Sequence, residues 1–348
     1  MSPSVWRGVA SLIWFLVMLV GTSAATEAAG LRYVQNIVWP SDIFSFQHGV
    51  EGPLDVVVFG SSRGSFGVSP TALDACLSDT LGRQTRSVNL SRVYSTGLTW
   101  EHLARDVLVS DRVPKLLVIG VTAEALNDNN HKNFRIFALE GRVADVPEML
   151  AEARNVRTVI GALEPVARGP ETLALLLSGR FDEEQRLRWM MTHHRGGQFC
   201  FGDPTCPDQN EAFSKLSSYR WAKWSTERQG LATAGRFGDW ETGEGLNHRR
   251  MLETLQWADD NGVAVLFVNM PLHPQFFRVI PGDVYSAHVQ AVLEMEGAGV
   301  EVWDGNLSTW RSDKEHWLDP DHLDASGSAI FSAELCEQVA PILEGASH

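Results

Sequence analysis

Four short apolar runs, at residues 54–59, 116–121, 263–270 and 300–303, punctuate the chain, with a weaker one at 87–90. Each has the length and β-branched content of a buried strand. Helical patterns separate most of them. After the first run, Ser69-Pro70 offers an N-cap and a first-turn proline, residues 71–81 read as a helix, and Gly82 can end it. Apolar strands alternating with helices predict an α/β architecture, a parallel sheet with helices on both faces. In such a sheet ligands bind at the carboxyl ends of the strands, near the point where strand order reverses.

Residues 143–247 break that rhythm with a mainly helical pattern and read as an insertion or cap. The predicted organisation is therefore an N-terminal segment (1–27), the first part of the α/β domain (28–142), the insertion (143–247) and the second part of the domain (248–348). Within the insertion Trp189, Trp221, Trp224 and Trp240, with Arg180, Arg186, Arg188 and Arg195, can either line a sugar-binding cleft or form core.

No charge interrupts residues 8–25; Arg7 precedes them and Glu27 follows. The stretch reads as an export signal in one of two forms. Ser23-Ala24-Ala25 fits cleavage of a signal peptide, and the apolar length sits at the short end of what spans a bilayer as an anchor. Either form places the remaining chain outside the cytoplasm, in the periplasm or secreted, or held at the inner membrane by residues 8–25. An even number of cysteines, four, suits an oxidising compartment. Cys200 and Cys206 enclose a turn and are expected to form a local disulfide, whereas Cys76 and Cys336 either pair or remain small buried residues. A zinc site from His193, His194, Cys200 and Cys206 matches no standard spacing. With 29 Lys+Arg against 43 Asp+Glu the formal charge is -14, which repels nucleic acid and excludes it as a general partner.

The strongest local chemical signal is Gly60-Ser61-Ser62-Arg63-Gly64, directly after the first predicted strand. A serine there is exposed at the mouth of the sheet, and the flanking glycines permit a tight approach of backbone N–H groups to a ligand. Near the other end, Trp317-Leu318-Asp319-Pro320-Asp321-His322 puts Asp319 three residues before His322. One turn of chain can set that carboxylate against one ring nitrogen and leave the other to take a proton from Ser62. Asp321 and Asp324 are alternative partners for the ring. Arg63 can bind an anionic substrate or hold the loop through a salt bridge, and His273, after the fourth strand, is either a substrate contact or an ordinary loop residue. Asp55 reads as a solvated strand-start residue.

These motifs resemble the SGNH (GDSL-type) hydrolase superfamily over about residues 52–135 and 248–340. Gly60-Ser61-Ser62 is similar to its Gly-Asp-Ser block, with Ser61 in place of Asp, and Asp319 and His322 match its Asp-x-x-His block. The style is nearest to membrane-anchored Gly-Ser-Ser variants such as alginate O-acetylation factors and the teichoic acid D-alanine transfer protein. The resemblance implies a flavodoxin-like three-layer sandwich with a mainly parallel five-stranded sheet and a mostly helical insertion. It also implies Ser62 as nucleophile, His322 as base, Asp319 as orienter, and oxyanion donors from later blocks. The second block begins at Asn89-Leu90-Ser91 and offers Gly97 with a shifted spacing. The third departs at Gly120-Val121-Thr122-Ala123 and leaves Asn127, ahead of Asn129 and Asn130, as side-chain donor.

The function so implied is an exported serine esterase or O-acyltransferase, of acetyl above other groups. It would act on an acylated cell-envelope or secreted polysaccharide or another ester, with a membrane-bound acyl-donor protein as a partner in the transferase case. No metal or organic cofactor is required. The competing readings are a non-catalytic glycan-binding or scaffold module of the envelope, which the departures in the middle blocks would explain, and a flavodoxin-like cofactor binder, for which the chain lacks a phosphate-binding glycine fingerprint.

Overall fold

The computed structural model describes residues 3–28, 52–92, 95–128, 133, 137, 141–153, 156–177, 245–297 and 300–345. In chain order these form α1 (Pro3–Ala28), β1 (Leu54–Gly60), α2 (Ser62–Gly67), α3 (Pro70–Leu81), β2 (Ser87–Asn89), α4 (Gly97–Asp106) and β3 (Pro114–Val121). There follow α5 (Val146–Ala151), α6 (Val156–Leu177), α7 (Leu246–Asp260), β4 (Ala264–Asn269), α8 (Pro274–Phe277) and α9 (Gly282–Gly297). The chain ends with β5 (Glu301–Asp304), β6 (Trp317–Asp319), β7 (His322–Leu323) and α10 (Ala325–Gly345). Two compact units divide the chain: one takes residues 51–130 and 191–348, the other 1–50 and 131–190.

The larger unit is built on a five-stranded sheet of order β2-β1-β3-β4-β5, parallel throughout. All five apolar runs form its strands. This is an α/β three-layer fold with the flavodoxin-like strand order, whose reversal lies between β1 and β3. Every residue of β1 is buried, as a central parallel strand covered on both faces requires. Val56, Val58, Leu116, Val118, Leu266 and Val268 face Leu73 and Leu77 of α3 and Leu335, Val339 and Leu343 of α10. The alternate residues Val57, Phe59, Leu117, Ile119 and Phe267 are fully buried on the other face, where α7 packs along β4 and against α4.

Local signals end the elements where the sequence predicts. Ser69 caps α3 by accepting from the Ala72 N–H at 3.3 Å, a contact of about 1 kcal/mol, and Gly82 terminates it in the left-handed region at φ +61. Cys76 of α3 and Cys336 of α10 form a disulfide with Cα atoms 6.2 Å apart, which resolves their alternatives in favour of pairing. Asp55 differs from expectation. It lies inside β1, buried, and binds Arg83 at 2.8 Å, Lys115 at 3.0 Å and the Arg86 N–H at 3.0 Å. Burial raises its pKa, but the bonds from Lys115, Arg83 and Arg86 outweigh that and hold it below the usual carboxylate range.

In the smaller unit α6 packs against α1 and α5. Helices α5 and α6 lie within the stretch read as an insertion, and they belong to the same unit as the N-terminal segment. Cys200 and Cys206, His193 and His194, and the tryptophans and arginines considered as a sugar cleft lie outside the described residues.

Candidate active site

Ser62 is the first residue of α2, immediately past the carboxyl end of β1 and beside the strand-order reversal. Ser61 is the N-cap, its side chain accepting from the Arg63 N–H at 3.4 Å, a role that Ser and Asp fill equally well. Asn89, at the end of β2, donates to the carbonyl oxygens of Gly64 at 2.9 Å and Val68 at 2.8 Å and so fixes the exit of this short helix. Gly64 is required for close approach rather than for an unusual φ: a Cβ there would lie 2.6 Å from Ser91 Oγ. From α10, the Ser328 hydroxyl donates to the Gly67 carbonyl at 3.2 Å, and the Ser332 hydroxyl accepts from the Ser69 N–H at 2.9 Å.

Asp319 and His322 arrive on an antiparallel hairpin, β6–β7, in which they are paired cross-strand residues. Pro320 and Asp321 make its tight turn. His322 Nδ1 lies 2.9 Å and 3.1 Å from the two oxygens of Asp319, and Nε2 lies 2.9 Å from Ser62 Oγ. Because the carboxylate can only accept, Nδ1 carries the proton and Nε2 presents a lone pair to the Ser62 hydroxyl. Burial pushes the Asp319 pKa up, but the adjacent His322 charge and hydrogen bond, with the Asp321 N–H at 2.8 Å, bring it below the ordinary carboxylate value. An ionised orienter, a correctly protonated ring and a hydrogen-bonded hydroxyl form a complete proton relay. No protein-family model and no curated protein matches this chain. The relay therefore stands on its own geometry.

The His322 ring is restrained on its side by Phe66, with centroids 4.9 Å apart. Arg63 clamps the loops together. Its Nε and one terminal nitrogen each reach Asp321 Oδ1 at 2.5 Å, the other terminal nitrogen lies 2.7 Å from Glu124 Oε2, and the guanidinium sits 4.9 Å from the centre of the Phe276 ring. Between its two readings, Arg63 thus makes the salt bridge, tying the turns after β1 and β3 to the hairpin. Asp321 is committed to Arg63, and Asp324 to the first turn of α10, accepting from Ser326 Oγ at 2.8 Å and the Gly327 N–H at 2.9 Å. Of the three aspartates, Asp319 is the one bonded to the ring.

His273 and Gly97 have structural posts. His273 caps α8, its Nδ1 accepting from the Gln275 N–H at 3.2 Å, while its backbone N–H donates to Pro320 O at 3.3 Å and steadies the hairpin turn. Burial moves its pKa down. Gly97 opens α4 against α7, where a Cβ would lie 2.1 Å from Asn247 O, so helix contact accounts for the glycine. Asn127 is buried, and its carbonyl accepts from Asn247 Nδ2 at 3.2 Å. Asn129 and Asn130 lie outside the described residues. Sequence reasoning missed Glu124, although its place three residues after β3 puts it on the active edge, and Phe66 and Phe276, which carry no local signal.

Behind Arg63 a small cavity is lined by Thr122, Asn269, Tyr285 and His288, among others. Asn269 donates to Asp304 at 3.0 Å, so its Oδ1 accepts from His288 Nε2, also at 3.0 Å. Burial, with the nearby Arg63 charge, pushes the His288 pKa down to about 4, so this imidazole is neutral at ordinary pH.

Proposed function

We propose that the chain is an SGNH-like serine esterase or O-acyltransferase working outside the cytoplasm on an acylated, above all acetylated, polysaccharide. The observation that carries this reading is the Ser62–His322–Asp319 relay, with 2.9 Å at both its key hydrogen bonds. Ser62 Oγ attacks the acyl carbonyl while Nε2 of His322 takes the hydroxyl proton. The resulting imidazolium is stabilised by ionised Asp319, and the oxyanion by N–H groups at the start of α2. His322 then returns the proton to the departing sugar oxygen, leaving an acyl-serine. Water or an acceptor hydroxyl, deprotonated by the same ring, resolves it to free acid or to a new ester.

The N-terminal helix is long and apolar enough to cross a membrane, and the disulfide suits an oxidising compartment. They support a periplasmic site of action, with α1 as inner-membrane anchor. A polysaccharide substrate and a membrane-bound acyl donor follow from the family resemblance. The helix contact that accounts for Gly97, with the departure of the third block at Gly120-Val121-Thr122-Ala123, favours a second reading, a glycan-binding module that keeps the fold without turnover. Incubation with O-acetylated polysaccharide, with and without an unacetylated acceptor oligosaccharide, separates these. Acetate release or transfer abolished by Ser62→Ala supports the enzyme; saturable glycan binding with neither reaction overturns it.

A further inference from the structure

In the smaller unit the apolar surface does not stop at α1. The uninterrupted stretch Val9–Thr26 of α1 is about 27 Å long at 1.5 Å per residue, close to the thickness of a bilayer's hydrocarbon core. Its large side chains are exposed all round, as at Trp14 and Phe15. Coverage begins only at its far end, where Ser23 is buried and donates to the carbonyl of Val166 in α6 at 2.5 Å. That carbonyl is the one whose helical partner would be the N–H of residue 170. Residue 170 is a proline and has none. Ser23 thus satisfies a backbone acceptor that would otherwise need water, a substitution suited to a site where water is scarce.

Over residues 156–167 helix α6 is also inverted relative to a helix packed in water. Its covered face carries Thr158, Ala162 and Pro165, while Val156, Val159, Ile160 and Leu163, spaced as one helical stripe, face outward. Val156 is 75% and Ile160 59% exposed. Small residues at the helix contact and large apolar residues outward is the arrangement of helices surrounded by lipid. Yet α6 is not a span, since its sequence holds Arg157, Glu164, Arg168 and Glu171. Two cations and two anions also give the helix no preference for a charged protein surface. Ser23 lies near the end of the α1 stretch, and with Arg7 on the cytoplasmic side that end emerges at the outer interface.

We propose that α6 is an interfacial helix, its Val156–Val159–Ile160–Leu163 stripe seated in the acyl-chain boundary of the outer leaflet beside the emerging end of α1. The occupant of the stripe is lipid, and the assignment rests on the reading of α1 as a retained anchor. A cleavage after Ala25 would remove Ser23 and with it the partner of Val166.

The test uses the full chain in phosphatidylcholine nanodiscs containing a phospholipid with a diazirine in its acyl chain, irradiated and mapped by peptide mass spectrometry. Adducts are expected on peptides covering 3–28 and 156–163. The double variant Ile160→Glu/Leu163→Glu is expected to lose those at 156–163 at least tenfold relative to α1, while its far-ultraviolet circular dichroism spectrum stays that of wild type as evidence of an intact fold. Labelled α1 with unlabelled 156–163 overturns the assignment of α6 and leaves the anchor standing. A mature chain that begins after Ala25, or an unlabelled α1, overturns the anchor and the assignment with it.

Discussion

Replacing Asp319 by Asn tests the relay at its least visible member. Asp319 Oδ1 accepts from both His322 Nδ1 at 2.9 Å and the Asp321 N–H at 2.8 Å. An asparagine of nearly the same shape that keeps its oxygen on the Asp321 N–H, which holds the hairpin turn, puts its NH2 group in the place of Oδ2, 3.1 Å from the same ring nitrogen. A donor facing Nδ1 favours the tautomer protonated on Nε2, the nitrogen 2.9 Å from Ser62. That tautomer cannot accept the serine proton, and the imidazolium also loses its counter-charge. In serine triads of this geometry the wrong tautomer costs about 10⁴-fold in rate, or about 5.5 kcal/mol of barrier at 1.4 kcal/mol per decade. We expect Asp319→Asn to slow fluorophosphonate labelling of Ser62 by roughly 10³ to 10⁴, with an unchanged far-ultraviolet circular dichroism spectrum and melting temperature. The assay is the second-order labelling rate at pH 7.5, read by intact mass. A well-folded variant that labels within tenfold of wild type would refute the assignment of Asp319 as orienter.

Three further outcomes concern stability. His288 has a folded pKa near 4 against an ordinary 6.5, so between those values the unfolded chain binds a proton that the folded chain excludes, and stability falls as pH drops. Urea unfolding should lose about 2 kcal/mol between pH 7.5 and pH 5 from this group, and His288→Gln, which keeps a donor for Asn269, should remove most of that loss; an equal loss in the variant contradicts the assignment. Asp319 acts in the same direction at lower pH, since the stability from a depressed carboxylate is present above its ordinary pKa and lost as pH falls through the folded value. The disulfide joins α3 to α10 across 260 residues, and Cys76→Ala/Cys336→Ala should lower stability by about 2–5 kcal/mol. Denaturation with and without reductant checks this, and a reductant-insensitive wild type would contradict it.

The sheet was legible because a parallel strand buried on both faces leaves a continuous apolar run, as residues 54–59 and 116–121 do. The ends of α3 were legible because Ser69 and Gly82 act through their own backbone. The β6–β7 hairpin was not, since strands of three and two residues carry no periodicity. Even so, the spacing of Asp319 and His322 survived as a signal, because three residues bring the pair together in a hairpin as in a helical turn. A salt bridge from Arg63 was legible as one of two readings, but its partner was not, because Asp321 lies 258 positions away. Gly97 carries an ambiguous signal for a related reason: a glycine needed to let Asn247 approach looks the same in sequence as one offering its N–H to a ligand. Asp55 was misplaced because its partners Arg83 and Lys115 come from neighbouring segments that fold onto β1.

The central claim, a base-activated Ser62, is tested most directly by intact-mass spectrometry of the protein after exposure to a fluorophosphonate, for wild type, Ser62→Ala and His322→Ala. The relay predicts one adduct per wild-type chain and none on either variant. A folded wild type that stays unlabelled, or labelling that persists at full rate without His322, would contradict it.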